Sequence, residues 1–344
     1  EFMDDVNQST AGVEPEPASE PNLELEPAAV PTDDDAPALR PKEVPARTSR
    51  RRLQVVNAAA RRLATARYAT DPLEIRRTVD RLARLQPRVR GVTIRRGSVA
   101  GVPGEWVMTK GRARPGTVMY LHGGGYIAGG PHTHRMLVGA LVVRTGFRAF
   151  VPDYRLAPEH RHPAALDDAR VVYDQLATQT HDTGRSFAVA GDSAGGGLAT
   201  ALVVDRRDAD VRLPDRLALI SPWVDLSGPS PETIEARAGL DVVMRAEQIQ
   251  LSGLAYAEDR IADPSASPLW ADLRGLPPTL IQVGTSELIG VEGELLAQRM
   301  AIAGVPVALE VWEKMPHVFQ AVPVLKERRF ALDRLAAFIS EDRD

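Results

Sequence analysis

Short apolar blocks alternate with longer stretches at helical spacing from about residue 90 onward. The blocks predicted as strands are 105–109, 116–123, 147–154, 186–193, 215–222, 279–286 and 307–313. Most are separated by amphipathic segments predicted as helices, at 133–145, 163–178, 194–207 and 291–303, and a further one spans about 322–340. Buried strands alternating with helices predict an α/β fold, in which a mostly parallel sheet has helices on both faces.

Three further segments do not fit this alternation. The arginine-rich stretches 49–69 and 71–85 have helical periodicity, and Asp71 and Pro72 are suited to the N-cap and first position of the second helix. Neither has a bulky aromatic face, so we expect packing on a globular body rather than on a membrane surface. Residues 226–277 interrupt the alternation with a helix at about 245–258, and an insertion of this length is typical of a binding loop or an active-site cover.

Charge separates the N-terminus from the rest of the chain. Residues 1–45 hold 12 acidic and two basic side chains, a net −10, which leaves +6 for residues 46–344 of a chain whose total is −4. The first segment is also rich in proline and carries one aromatic residue, so it cannot bury enough apolar surface to offset its ordering entropy. We predict a disordered acidic leader over 1–45, whose simplest role is to aid solubility, and one catalytic domain over 46–344.

Composition narrows the classes of function. The absence of cysteine excludes disulfides, a thiolate nucleophile and cysteine-ligated metal sites. No apolar run is long enough to span a membrane, the N-terminus lacks the features of a secretory signal, and no basic patch with interleaved aromatic residues favours nucleic acid. The prediction is a cytoplasmic protein with a small-molecule partner, without an integral membrane segment and without a nucleic-acid partner.

One motif has the pattern of an activated nucleophile. Gly191-Asp192-Ser193-Ala194-Gly195 is a G-x-S-x-G sequence with a predicted strand before it and a predicted helix after it. Strand, sharp turn and helix are the context of a nucleophile elbow, and the Ala194 N–H would stand at a helix N-terminus, which favours anions. The alternative is an ordinary serine in a glycine-rich turn; the context favours a nucleophilic Ser193.

A serine nucleophile needs a base and an orienting acid. In this fold the chain order is serine, acid, histidine, and His317, directly after the last strand, is the one histidine that follows Ser193. Two acids lie between them and follow strands, Asp225 and Glu287. Glu287 is favoured, because its strand precedes the unit that carries the histidine and the two loops can therefore be neighbours; Asp225 stays the alternative.

Two other features are glycine-rich or histidine-rich. The loop His122-Gly123-Gly124-Gly125-Tyr126 lacks the lysine of a phosphate loop and the context of a dinucleotide fingerprint, so an oxyanion hole fits it better. The alternating histidines at 132–134 and 160–162 lack the partners that would complete a metal site. No metal and no cofactor are predicted.

The motifs HGGGY, DYRLAPEHRHPAAL, GDSAGGGLA, LPPTLIQVG and MPHVF resemble the hormone-sensitive-lipase family, the bacterial class IV esterases. This resemblance covers roughly residues 50–344 and implies an α/β-hydrolase fold with a helical cap, here at 47–88 and about 226–262. It implies Ser193 as nucleophile, His317 as base, and the N–H groups of Gly124, Gly125 and Ala194 as oxyanion hole. Structural support of the loop is expected from His122, Gly123, Tyr126 and Asp192.

The family usually has Asp-Pro-Leu where this chain has Glu287-Leu288-Ile289, and some members resemble it in carrying Glu there. The resulting hypothesis is a Ser-His-Glu esterase that acts on short to medium acyl chains through an acyl-enzyme. One alternative is an acyltransferase with the same triad. The other is a non-catalytic small-molecule receptor, as in plant gibberellin receptors of similar sequence, which lack the base. Homodimers are common among the similar proteins, and a homodimer is compatible with this sequence.

Overall fold

A computed structural model describes residues 39–65, 71–87, 89–237 and 239–341. The strands in these ranges are β1 (Lys42–Val44), β2 (Val92–Val99), β3 (Val102–Thr109), β4 (Gly116–Leu121), β5 (Arg148–Pro152), β6 (Ser186–Asp192), β7 (Arg216–Ile220), β8 (Thr279–Gly284) and β9 (Val307–Trp312). They form one sheet in the order β1-β9-β8-β7-β6-β4-β5-β3-β2. All neighbours are parallel except β2 with β3 and β3 with β5.

The helices of the described residues are α1 (Arg50–Thr65), α2 (Pro72–Ala83), α3 (Pro131–Thr145), α4 (Ala164–Asp182), α5 (Ala194–Asp208), α6 (Pro231–Arg237), α7 (Ala246–Ala257), α8 (Gly290–Ile302) and α9 (Lys326–Ile339). Two apolar layers result. On one face of the sheet α3 and α9 contribute Leu141 and Leu335, and on the other α4, α5 and α8 contribute Leu166, Leu198 and Leu296. The predicted α/β-hydrolase architecture, with helices on both faces, is confirmed.

Three elements were missed from the sequence: β1, β2 and α6. Strand β2 is the outermost strand, its middle residues are exposed, and only Val92 and Val99 at its two ends are buried. An edge strand with a polar interior shows neither a continuous apolar run nor a clean alternation, so periodicity could not reveal it. The antiparallel pairing of β3 was not foreseen either, because pairing direction depends on the neighbours.

The predicted boundary of the acidic leader needs correction. Residues 1–38 lie outside the described residues, but Lys42–Val44 form a strand parallel to β9. Next to it, the Glu327 carboxylate accepts hydrogen bonds from the Arg47 and Thr48 N–H groups and from the Thr48 hydroxyl. The chain is therefore ordered before residue 45, through tertiary contacts that local composition does not encode.

Helices α1, α2, α6 and α7 fall within the ranges proposed as a cap. Helix α2 begins as predicted, with Asp71 as its N-cap, because the Asp71 carboxylate accepts from the Leu73 N–H at 3.0 Å and Pro72 follows. Within the part of the chain that the structure describes, no helix is both long and apolar enough to cross a bilayer.

Candidate active site

The candidate side chains meet at the carboxyl edge of the parallel strands. The loop at Gly123 follows β4, Ser193 follows β6, Glu287 follows β8, and His317 follows β9. Strand β4 is hydrogen-bonded to β6, and β8 to β9. The sheet order therefore brings the glycine-rich loop beside the serine and the acid beside the histidine, as expected for ligands and catalytic groups of such sheets.

Ser193 stands on a strained turn between β6 and α5. Its backbone has φ 53° and ψ −126°, a region that non-glycine residues rarely adopt. The flanking glycines are required by space, since a Cβ at Gly191 would lie 2.3 Å from the Gly195 carbonyl oxygen, and one at Gly195 would lie 2.1 Å from that of Leu121. This is the geometry of a nucleophile elbow, which holds the hydroxyl clear of the sheet.

The hydroxyl, an imidazole and a carboxylate form a chain of hydrogen bonds. Ser193 Oγ lies 2.9 Å from His317 Nε2, and His317 Nδ1 lies 3.0 Å from Glu287 Oε2. The side chain of His317 is 6% exposed and that of Glu287 is fully buried. A buried carboxylate at Nδ1 keeps the proton on that nitrogen, so Nε2 presents a lone pair to the serine.

The environment of His317 favours its protonated form. Burial lowers the pKa of His317, but the hydrogen bond and negative charge of Glu287, with smaller contributions from Asp241 and Asp192, raise that pKa above its ordinary value of 6.5. An imidazole with a raised pKa is a better acceptor for the serine proton, provided that the solution pH leaves it neutral.

Hydrogen bonds to the carboxylate oxygen that faces away from His317 orient Glu287. Its Oε1 accepts a hydrogen bond from the Ser221 hydroxyl at 2.9 Å and another from the Gly284 N–H. The Ser221 oxygen also accepts from the Val318 N–H at 3.3 Å, next to His317 in the chain. One oxygen of the carboxylate is thus fixed by donors, and the other is left to face the imidazole.

Asp225, the alternative acid, is engaged elsewhere. Its carboxylate accepts from the N–H and hydroxyl of Ser227, at 2.9 Å and 2.6 Å, and from the indole of Trp270 at 3.2 Å. No hydrogen bond in the described residues joins it to His317. The geometry therefore favours Glu287 as the acid partner.

Sequence reasoning missed Ser221 and Asp241. Ser221 follows β7, the neighbour of β8, and a serine before a proline at a strand end is too common to identify. Asp241, in the insertion between α6 and α7, is buried and accepts from the Leu288 N–H at 2.9 Å and from the Val243 and Met244 N–H groups. It ties the insertion to the loop of Glu287, a contact that only the fold creates.

The glycine-rich loop has a backbone conformation that requires glycine. Gly124 and Gly125 have φ of 129° and 63°, and a Cβ at Gly124 would lie 2.0 Å from the Ala128 carbonyl oxygen. Ala194 is the first residue of α5, so its N–H has no partner within the helix. Among the described residues, no hydrogen bond occupies the N–H groups of Gly124, Gly125 and Ala194.

The rings of His122 and Tyr126 in this loop are buried and stack on other aromatic side chains. Tyr154 stacks on the His122 ring with centroids 4.1 Å apart and donates to the His122 carbonyl at 2.6 Å. The His122 Nδ1 lies 2.9 Å from the Gly123 carbonyl oxygen, and burial lowers the pKa of His122 to about 3, so this ring is neutral. Tyr126 is buried and stacks on Tyr256 of α7, with centroids 3.7 Å apart.

A cavity of about 450 Å³ opens onto the hydroxyl of Ser193. Its floor is formed by Ser193, His317 and the glycine-rich loop. Its other walls come from the N-terminal helices, the first turn of α3, the segment after β7 and the insertion. The residues are Ala60, Ile75, Val79, Thr133, His134, Trp223, Val242, Val243, Met244, Gln248, Ile249 and Ser252. A largely apolar cavity with a nucleophile at one end suits a small molecule with an apolar part.

One arginine fastens a cavity wall to the glycine-rich loop. The Arg76 guanidinium on α2 donates to the carbonyl oxygens of Ile127 at 2.7 Å and Ala157 at 2.5 Å, and it pairs with Glu159 at 2.7 Å. Planar guanidinium groups suit such multiple contacts. Helix α2 is therefore coupled directly to the segment that follows Gly125.

Three of the four paired histidines contact other side chains. His132 pairs with Asp80 of α2 at 2.9 Å, and His134 lies 3.2 Å from Asp192. His162 contacts the Tyr256 hydroxyl at 3.3 Å and the Ser265 hydroxyl at 3.0 Å, whereas His160 is exposed.

Comparison with known proteins identifies similar sequences. A family model described as an alpha/beta hydrolase fold matches residues 118–321. An acetyl-hydrolase of Streptomyces hygroscopicus is 41% identical over 238 residues, which is 68% of this chain and 78% of that protein. An esterase of Acinetobacter venetianus is 34% identical over 270 residues, covering 78% of this chain and 88% of that protein.

Solved structures are similar over most of the chain. The crystal structure of an esterase from the bacterial hormone-sensitive lipase family superimposes with a TM-score of 0.79 at 34% identity, covering 86% of this chain and 99% of that one. A mutant of the esterase E40 gives a TM-score of 0.79 at 36% identity, with the same two coverages of 86% and 99%.

Proposed function

The chain belongs to the alpha/beta hydrolase family, in the hormone-sensitive-lipase group of bacterial esterases, and we propose that Ser193, His317 and Glu287 form its catalytic triad. Membership of this group makes the chain a carboxylesterase-like hydrolase. The observation that carries this proposal is the continuous path from the Ser193 hydroxyl through His317 to a buried carboxylate, at 2.9 Å and 3.0 Å. It is tested by ester turnover in variants of these residues.

Acylation begins when His317 Nε2 takes the proton of the Ser193 hydroxyl as its oxygen attacks the ester carbonyl carbon. The carbonyl oxygen becomes an oxyanion, which the N–H groups of Gly124, Gly125 and Ala194 stabilise. The intermediate collapses as the bond to the leaving oxygen breaks, and the His317 imidazolium gives its proton to that oxygen. An alcohol departs, and Ser193 carries the acyl group as an ester.

Deacylation repeats these steps with water. His317 removes a proton from a water molecule whose oxygen attacks the acyl carbon, and the oxyanion is held by the same N–H groups. Collapse releases the carboxylic acid, and the proton returns from His317 to Ser193. Glu287 keeps its charge throughout and stabilises the imidazolium in both halves of the cycle. The cycle requires an ester and water and no cofactor.

A homodimer and a cytoplasmic location stay predictions from the sequence.

The path also distinguishes an enzyme from a receptor on the same fold. Ligand binding alone does not require an imidazole aligned on a serine whose backbone conformation is strained. Strain of this kind costs of order 1–3 kcal/mol and persists where the surrounding structure enforces it, most often at active sites. The strain at Ser193 and the alignment of His317 therefore favour catalysis.

The rate should depend on pH through His317. The protonated ring cannot accept the serine proton, so kcat/KM should fall as pH drops, with slope one, below a midpoint above 6.5, because the pKa of His317 is raised. The Glu287→Gln variant lacks the negative charge that raises this pKa, so its midpoint should lie at lower pH. Initial rates with a p-nitrophenyl ester from pH 5 to 9 provide the comparison. An unmoved midpoint would contradict the assignment of His317 as the titrating base.

Short to medium acyl chains are the proposed substrates, in keeping with the modest cavity and with a relative named as an acetyl-hydrolase. Each methylene buried in the cavity is worth about 0.8 kcal/mol, so kcat/KM should rise about fourfold per carbon until the cavity is filled and then fall. The measurement is a p-nitrophenyl ester series from acetate to palmitate.

Met244 lines this cavity, and Met244→Ala should shift the preferred ester to a longer chain. Met136→Ala, on α3 and absent from the lining, is the matched control and should leave the preference unchanged. A flat profile across the series would contradict an acyl-binding cavity.

A further inference from the structure

An ion pair with little exposed surface lies beside the glycine-rich loop, in the lining of the same cavity, and has no part in the proposed proton transfers. His134 Nε2 on α3 is 3.2 Å from the Asp192 carboxylate, which directly precedes Ser193. The side chains are 15% and 4% exposed. Removing a charged pair from water costs free energy unless hydrogen bonds satisfy both partners. The hydrogen bonds of this pair therefore indicate its role.

The hydrogen bonds around His134 are compatible with a protonated ring. The Thr133 hydroxyl donates its one proton to the Gly130 carbonyl oxygen at 2.7 Å. The same hydroxyl oxygen lies 2.7 Å from His134 Nδ1, and with its proton directed to Gly130 it accepts a hydrogen bond from that nitrogen. With Nδ1–H directed to Thr133 and Nε2–H directed to the Asp192 carboxylate, the ring is a doubly protonated imidazolium.

Electrostatics agree with this assignment. Burial lowers the pKa of His134, but the charge and hydrogen bond of Asp192, together with the Gly130 carbonyl, raise that pKa above 6.5. Burial raises the pKa of Asp192, but His134 and the Tyr120 hydroxyl bring it below its ordinary value. Each partner thus stabilises the charged form of the other.

Asp192 also holds the backbone of the loop. Its Oδ1 accepts from the Gly123 N–H at 3.2 Å and from the Tyr120 hydroxyl at 2.7 Å. A Cβ at Gly123 would lie 2.4 Å from Asp192 Oδ2, so the loop rests directly on the carboxylate. The peptide held in this way immediately precedes Gly124 and Gly125, whose N–H groups are the proposed oxyanion donors.

A second acceptor competes for the same N–H group. The Gly123 nitrogen lies 3.3 Å from His134 Nε2, which could accept its proton only when that ring nitrogen carries none. Loss of the positive charge on His134 would leave Asp192 as a buried carboxylate without a cationic partner, whichever ring nitrogen kept its proton.

The other groups near His134 do not supply this charge. On the β4 side stand Tyr120 and His122, and the pKa of His122 is lowered to about 3. On α3 itself, His132 is paired with Asp80 and Arg135 with Glu105. His134 is thus the cation that contacts Asp192 among the described residues.

We propose that His134 is a positioning residue for ester hydrolysis: as an imidazolium it holds Asp192 on the Gly123 amide and so keeps the oxyanion donors of the glycine-rich loop aimed at the reacting carbonyl. This inference rests on the proposed function of Ser193 and the loop. It predicts a second ionisation, on the alkaline side of the pH profile, where His134 loses its proton and the loop loses its alignment.

The test compares His134→Gln with His132→Gln, a histidine two residues earlier on the same helix that contacts Asp80 rather than Asp192. At pH 7, His134→Gln should reduce kcat about tenfold or more with KM within about threefold, since losing one oxyanion donor outright costs about 10²–10³ in kcat. Its alkaline limb, seen as a fall of kcat in the wild type, should disappear. His132→Gln should keep the wild-type kcat and the limb.

The protonation state of His134 can also be measured directly, in a protein that keeps this residue. In the Ser193→Ala protein, the NMR titration of the histidine Cε1–H signals should include one signal that is lost when His134→Gln is added, and its midpoint should lie above pH 6.5. If that midpoint lies at or below pH 6.5, or if His134→Gln retains wild-type kcat and profile, the proposal is overturned. Should Ser193→Ala itself retain full turnover, the proposed function fails instead, which keeps the two failures separate.

Discussion

Replacing Ser193 with alanine should reduce kcat for p-nitrophenyl butyrate by about 10⁵- to 10⁶-fold. The alanine removes the oxygen that forms the acyl-enzyme, and His317, 2.9 Å from that oxygen in the wild type, is left without a nucleophile to activate. The small residual rate should come from the oxyanion donors and from substrate binding alone. The measurement is steady-state turnover with protein purified free of other esterases.

Ser98→Ala is the matched control, because Ser98 is exposed on the edge strand β2 and lies outside the cavity. It should retain wild-type kcat. An active-site titration, with release of p-nitrophenol in a burst equal to the enzyme concentration, should be seen in the wild type and in Ser98→Ala but not in Ser193→Ala. Turnover of Ser193→Ala within tenfold of the wild type would show that another group is the nucleophile.

Glu287→Gln should reduce kcat by about 10³- to 10⁴-fold with little change in the fold. The reason is the hydrogen bond from the Gly284 N–H to Glu287 Oε1, because a backbone N–H can only donate and keeps its direction in the variant. A glutamine must place its amide oxygen there, and its NH₂ group then faces His317 Nδ1. That nitrogen must accept rather than donate, so the proton moves to Nε2, where it blocks abstraction of the Ser193 proton.

Asp225→Asn is the control for this experiment, since Asp225 is the other acid that the sequence left open and its contacts are to Ser227 and Trp270. Its kcat should stay within about threefold of the wild type. Circular dichroism and thermal unfolding should show that both variants are folded. A mild effect of Glu287→Gln together with a severe effect of Asp225→Asn would reverse the choice of acid.

Local sequence pattern was enough to predict the fold class and part of the candidate site. Apolar blocks separated by helical segments predicted the α/β architecture, because a parallel sheet covered on both faces needs continuously buried strands. The G-x-S-x-G turn predicted an elbow at Ser193, and chain order singled out His317. These inferences succeed because each depends on a few adjacent residues, or on the order in which elements follow one another.

The tertiary structure decided what depends on neighbours distant in the chain. Both acids follow strands, and only the pairing of β8 with β9 brings Glu287 to His317, while the Ser221 hydroxyl and the Gly284 N–H fix which oxygen faces the ring. The ordering of Lys42–Val44 depends on a strand some 265 residues later. The charge on His134 depends on a carboxylate 58 residues away. Hydrogen bonding and electrostatic contact act over a few ångströms in space, so sequence alone supplied the chemical groups, and the fold determined which of them meet.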